Sequence, residues 1–440
     1  MRTMPDLTAA RPSTARQRPV QAPAAPGAAS GLPVPTAPPW RAAAIMDDPT
    51  LAGVLYAAWS GDSAIVCPAP PGSGKSRLVV LLAASLAERA GLRVGIAAQT
   101  RDQAVEVTRR LGALGHPGTL AWSPSQPTPI GLGSSRAERG HRVRFSPSGG
   151  GVIVATTARW LVSDPSRLGC DVMIVDEAWQ LTFADLGGLG AFAAQVVCVG
   201  DPGQIEPVVT GRTDRWRDSA TGPHRPAPDA LLAAHPDAVS LVKLRHTWRL
   251  GPDTTAVVQP VFYPDLPFES RRPDEYLACG PGERLPEIVA HPVPVTAGPC
   301  DAALVGTCAD LARDLLGRNL VTEQGSRDVG PADLAVVTSH VGQAAAVQAL
   351  LADLPGVLIG TANQLQGLER AAVVALHPLA GYREASGFAA NPGRACVMLS
   401  RHRAHLALVY DEATPTMLTG RDLDPAERMH RGLLDALTCP

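Results

Sequence analysis

Ala64-Ile-Val-Cys67-Pro-Ala69-Pro-Pro71-Gly72-Ser73-Gly74-Lys75-Ser76 is the stretch that decides the fold. Its first four residues are apolar and β-prone, and the spacing predicts a short buried strand. From Lys75 to Arg89 the run Lys-Ser-Arg-Leu-Val-Val-Leu-Leu-Ala-Ala-Ser-Leu-Ala-Glu-Arg predicts a helix. A glycine-bearing turn between a strand and a helix N-terminus is a phosphate cradle. Gly72 and Gly74 let backbone N–H groups approach phosphate oxygens, and the helix end adds partial positive charge. Only Lys75 and Lys243 are lysines among the 39 basic residues, against an Arg-, Ala-, Gly- and Pro-rich background like a GC-rich genome's coding habit. A compact ammonium suits this cradle where a planar guanidinium does not.

Outward from this unit the chain alternates short apolar runs with amphipathic ones, which predicts an α/β fold. Strands are expected at 93–97, 151–155, 172–175 and 195–199, with a helix over 102–111. A polar, Pro/Gly/Arg-rich stretch at 211–228 interrupts the pattern. A second series predicts strands at 239–244, 334–337, 372–376 and 406–409, with helices over 253–261, 309–316, 342–351 and 392–399 and a last helix from about Pro425. The Pro-bearing segment 264–300 reads as irregular.

Further motifs follow the phosphate turn. Val172-Met-Ile-Val-Asp176-Glu177 is an apolar strand ending in two carboxylates, about 100 residues after the turn. Asp176 is placed to hold Mg²⁺, with Ser76, and Glu177 to orient or deprotonate an attacking water. Cys198-Val-Gly200-Asp201-Pro-Gly-Gln204-Ile-Glu-Pro comes next. Then come Trp248-Arg249-Leu-Gly-Pro with Phe262-Tyr263, Thr338-Ser339-His340-Val-Gly-Gln343, Gln366-Gly367-Leu-Glu369, and Val397-Met-Leu399-Ser400-Arg401-His-Arg403.

In order and spacing, from about Ile65 to Val409, these elements resemble those of superfamily 1 DNA/RNA helicases. Ala69 departs from that pattern, in which a glycine is usual. The resemblance implies two tandem RecA-like P-loop NTPase domains, each a mostly parallel sheet flanked by helices. The first would span 46–236 and hold ATP; the second would span 237–440 and supply arginine fingers. ATP and Mg²⁺ are the cofactors it implies, in a cleft that closes with ATP and opens as phosphate leaves. Lys75, Glu177, Gln204, Arg249 and Arg401 would be catalytic. Pro71, Gly72, Ser73, Gly74, Lys75, Ser76, Trp248, Gly367 and Glu369 would surround the nucleotide. Thr100, Thr156, Ser339 and His340, with Gln99 and Thr157, would face a nucleic-acid strand, DNA or RNA. The most similar branch includes the nonsense-mediated-decay helicase, which implies 5′-to-3′ movement and packing of Trp248 on adenine; a Trp is equally ordinary in a core. A switch ATPase that keeps the motor fold without unwinding, and a P-loop kinase or GTPase, are the competing readings.

Composition sets bounds. The chain has 440 residues, 45% hydrophobic and 18% charged, with a net charge of −2, so any basic track for nucleic acid must be local. Two arginine-rich stretches, 136–144 and 212–217 (with Trp216), are candidates for such a track, although charge runs usually face water. Eight cysteines without C-x-x-C or ligand spacing point to reduced thiols and a cytoplasmic protein, with neither a zinc site nor disulfides. No apolar run is long enough to cross a bilayer. Residues 1–45 are Pro/Ala-rich and read as a disordered tail that is open to protein partners. The first twenty residues carry Arg, Ser and Thr in the manner of an organelle transit peptide, but a flexible bacterial tail is the favoured reading. A monomer is expected.

Overall fold

A computed structural model describes residues 49–147, 149–280, 283–385, 387–420 and 422–438. The tail expected to be disordered and Cys439 lie outside the described residues. The first sheet contains β1 (Ala64–Pro68), β2 (Arg93–Ala98), β3 (Gly118–Ala121), β4 (Arg136–Glu138), β5 (Gly151–Thr156), β6 (Cys170–Asp176), β7 (Ala193–Gly200) and β8 (Val239–Leu241). Their order is β4-β3-β5-β2-β6-β7-β1-β8, and every neighbouring pair is parallel.

Side chains alternate across a strand, so an apolar run feeds both faces at once. Ile65, Cys67, Val172 and Ile174 enter the core under helix Lys75–Arg89, while Val66, Met173 and Val175 enter the opposite core with Trp160 and Phe192. Both faces are therefore covered, and the loops at the strand C-terminal ends remain for binding.

The chain continues through β9 (His246–Thr247), β10 (Glu269–Ser270), β11 (Tyr276–Gly280), β12 (Glu283–Arg284), β13 (Ile288–Val293), β14 (Asn319–Thr322), β15 (Gly325–Asp328), β16 (Leu334–Thr338), β17 (Leu358–Thr361), β18 (Arg370–Leu376) and β19 (His402–Asp411). The order β13-β19-β18-β16-β17 forms a second all-parallel sheet. It alternates in the same way: Val336 and Val374 go to one core, Val337 and Ala375 to the other. A small antiparallel sheet, β12-β11-β14-β15, is appended to this half. The α/β expectation of two mostly parallel sheets with flanking helices holds.

Three local expectations are corrected. The strand expected at 239–244 to open the second series instead closes the first sheet. β8 pairs with β1, and the backbone N–H groups of Val242 and Leu244 still reach Val66 O and Pro68 O at 3.0 Å each. The segment 264–300 is not irregular throughout. It holds β13 at the edge of the second sheet, where Pro292 costs no ladder bond that the sheet requires. The helix expected over 309–316 starts at Ala302, because Asp301 accepts the Ala303 N–H at 2.8 Å and caps it.

Candidate nucleotide site

β1 runs into the phosphate turn. Ala69 donates its N–H to Gly200 O at 2.8 Å and lies fully buried in the core, with no positive φ, so its methyl packs where the usual glycine would stand. Gly72 (φ 71°) and Gly74 (φ 86°) take left-handed backbone that a side chain would strain. Gly74 is the N-cap of helix Lys75–Arg89, with no side-chain cap to occupy the open N–H groups. The Ser73 hydroxyl is buried in this turn without a hydrogen-bond partner. An unpartnered donor beside open helix-terminal amides is what a bound phosphate would satisfy.

β6 delivers the two carboxylates. Burial, then the adjacent Glu177 charge, pushes the Asp176 carboxyl up to about 7. Glu177 (φ 50°) is the sole non-glycine with positive φ among the described residues, and such strain marks functional sites. Its N–H donates to Asp176 Oδ1 at 3.0 Å. Ser76, Asp176 and Glu177 line a cleft of about 680 Å³ with Gln364, Gln366 and Gly367 from the second half. Among the described residues no three His, Cys, Asp or Glu gather as a metal cage. One hydroxyl and one carboxylate match Mg²⁺, which keeps most of its shell for water and phosphate.

The strand order explains the next residue. β7 lies between β1 and β6, so the loop after Gly200 sits beside both motifs. Lys75 Nζ is 3.6 Å from Asp201 Oδ2, and Gln204 Nε2 donates to the same oxygen at 2.7 Å. Gln366 Nε2 then donates to Gln204 Oε1 at 3.0 Å, bringing in the second half.

The segment after β8 crosses the phosphate turn itself. Thr247 Oγ1 donates to Pro71 O at 2.7 Å, and the Trp248 N–H donates to Gly72 O at 2.9 Å. A Cβ on Gly72 would stand 2.3 Å from the Arg249 Cβ, so this glycine is also required by close approach. Arg249 donates from Nε to Glu369 Oε2 (2.6 Å) and from Nη1 to Ser400 O (3.2 Å). Arg401 is buried and donates to Val397 O and Ser400 Oγ. Burial, then the neighbouring Arg249, pushes its guanidinium down to about 10. Trp248 is 53% exposed, so it is not a core residue and its ring is free to pack on a ligand. Gly367 (φ 82°) shapes the turn before Glu369.

The four residues expected at a nucleic-acid strand are dispersed over the ends of β2, β5 and β16. Thr100 and Thr156 are helix N-caps whose hydroxyls accept the Gln103 and Arg159 N–H groups. Gln99 Nε2 donates to Asp176 O, and Thr157 Oγ1 lies 3.3 Å from Gln99 Oε1. Ser339 is buried against Met398, and His340 bonds Tyr382 at 2.6 Å and stacks on Phe388. Beside Thr156 a hollow of about 210 Å³, lined by Arg101, Trp122 and Arg159, was not foreseen. The two arginine stretches are largely exposed, with Arg139 tied to Gln126 O and Arg215 lying over Trp216.

Tyr263, Cys396 and Glu287 were missed as site residues. Tyr263 bonds both Asp201 and Cys396, and Glu287 accepts the Gly251 N–H two residues after Arg249. Each is remote in sequence from what it touches, and only the Phe262-Tyr263 pair left a trace in the motif pattern.

Among solved structures the chain is similar to PRRSV helicase (17% identity, TM-score 0.42, covering 81% of this chain and 54% of that one). It is also similar to arterivirus nonstructural protein 10, a helicase (17%, 0.43, 82% and 61%), and to that protein in complex with DNA (16%, 0.45, 82% and 65%). The chain thus spans between half and two thirds of the length of these helicases. No curated protein matches. The family model described as AAA domain matches residues 52–225, the part of the chain that holds the phosphate turn, Asp176, Glu177 and Gln204.

Proposed function

We propose that the protein is an ATP hydrolase of the superfamily 1 helicase type, built on two RecA-like halves, that moves on a single nucleic-acid strand. The observation that carries this reading is the meeting of the two halves on the phosphate turn. Gly72, Lys75, Ser76, Asp176 and Glu177 belong to the first sheet's loops, while Arg249 lies against Gly72, and Glu369 and Ser400-Arg401 lie against Arg249. In this reading Ser76 and Asp176 would hold Mg²⁺, which would supply positive charge to offset that of the phosphates. Lys75 leaves Asp201 for the phosphates, Glu177 orients the lytic water and Gln204 senses the terminal phosphate. Arg249 and Arg401 meet charge as it develops on the transferred group. The match to an AAA domain over residues 52–225 supports the nucleotide half of the reading. Exposed Trp248 at the turn supports its packing on adenine, as in the 5′-to-3′ branch.

The test is ATP turnover by the full chain with and without single-stranded DNA and RNA. Stimulation by a strand is expected. Turnover that no strand accelerates would overturn the motor in favour of a nucleotide-controlled switch, and a preference for GTP would overturn the helicase type.

A further inference from the structure

Asp201 collects more donors than its turn requires. The carboxylate is buried. Oδ1 accepts the Tyr263 hydroxyl at 2.7 Å and the Gly203 N–H at 3.0 Å, while Oδ2 faces Gln204 Nε2 at 2.7 Å and Lys75 Nζ at 3.6 Å. Tyr263 follows helix Pro252–Phe262, far from Asp201 in sequence, and is itself buried. Its ring is held on two sides. A Cβ on Gly203 would be 2.5 Å from the ring, and Phe268 packs edge-on at 5.3 Å. The phenol oxygen also lies 3.1 Å from Cys396 Sγ. Burial raises both the phenol and the thiol, so both keep their protons; the thiol donates to the phenol and the phenol to Asp201.

Cys396 belongs to helix Pro392–Leu399, which leads directly into Ser400-Arg401. The same helix presses on the Gln204 loop, since a Cβ on Gly393 would stand 2.6 Å from Gln204 O. Tyr263 therefore joins the partner of the phosphate-turn lysine to the helix that bears Arg401.

We propose that Tyr263 is a positioning residue: through Asp201 its hydroxyl sets how readily Lys75 is released to phosphate, and it ties that release to the Arg401 helix. The physical reason is charge sharing. Each neutral donor on Asp201 reduces the carboxylate's demand for the Lys75 ammonium, which stands at the long end of ion-pair distance. Without the hydroxyl, a buried carboxylate oxygen loses a charge-assisted bond and draws Lys75 in, in competition with the ligand. The proposal rests on the ATP reading of this site.

The experiment compares Tyr263→Phe, Asp201→Asn, the double variant and Phe268→Leu in the full chain. The readouts are the equilibrium Kd for ATP, and KM and kcat for its turnover. Tyr263→Phe is expected to weaken ATP binding about tenfold and to lower kcat. Asp201→Asn removes the competing charge, so adding Tyr263→Phe to it should leave Kd unchanged. Phe268→Leu loses packing around the same ring and should lower stability without moving Kd, which separates positioning from mere structure. Wild-type Kd in Tyr263→Phe, or an effect that simply adds to that of Asp201→Asn, overturns the proposal. A wild-type chain that binds ATP without hydrolysing it defeats the hydrolase reading alone, because the Kd comparison still decides the role of Tyr263. A chain that does not bind ATP defeats both.

Discussion

In the proposed ATP site each residue at the phosphate turn would have a separate physical task, so its removal should leave a separate signature. Lys75→Ala removes the one ammonium in the cradle and is expected to abolish ATP turnover. Glu177→Gln keeps the shape and the left-handed backbone but cannot take or orient a proton. It should bind ATP normally and lose turnover by at least about a hundredfold, measured as single-turnover kinetics beside equilibrium binding. Arg249→Lys keeps a charge but not the fork that reaches both Glu369 and Ser400 O. A fall in kcat of about a thousandfold, with little change in Kd for ATP, is expected, and a near-normal kcat would remove the arginine from the reaction.

At the scale of elements, the Thr100 and Thr156 hydroxyls at the strand ends are first of all helix caps. Thr100 and Gln103 form a reciprocal capping box on helix Arg101–Ala113, with bonds of 3.2 and 3.0 Å. Thr100→Ala should therefore cost about 1 kcal/mol in urea denaturation, and Thr100→Ser should restore most of it. Strand affinity measured on the same pair separates capping from contact: a loss that Ser does not repair would assign the methyl group to the strand.

At the scale of the whole molecule, the second half is held by buried imidazoles. His430 on helix Pro425–Thr438 contacts His377 at 3.3 Å and Ala390 O at 3.1 Å, tying the helix to the end of β18. Burial pushes His430 and His405 down to about 4, and His377 well below its ordinary range. The unfolded chain thus binds more protons than the folded one between about pH 6.5 and 4. Stability should be fully present above that window and fall as pH drops through it, by up to about 3 kcal/mol each for His430 and His405. His430→Gln should flatten the slope of stability against pH, and a slope identical to the wild type would show that the pair does not titrate on unfolding.

Much of this was legible in the chain. Apolar runs bounded by turn residues marked β1, β6, β7, β16 and β18, because a strand buried on both faces needs no partner information to look apolar. The phosphate turn and the Asp176-Glu177 pair were equally legible, since their chemistry is local: glycine conformation, a helix end and adjacent carboxylates. β4 and β14 are short and partly exposed, β15 is short and exposed, and β3 is buried but only four residues long, so their pairing depends on neighbours more than on composition. Tertiary structure alone decided that β8 closes the first sheet and that β7 lies between β1 and β6. It also decided that the Tyr263 hydroxyl joins Asp201 to Cys396. The reason is physical. Strand order and the contacts of a buried carboxylate are set by long-range packing, and no local propensity or period encodes which distant side chain completes them.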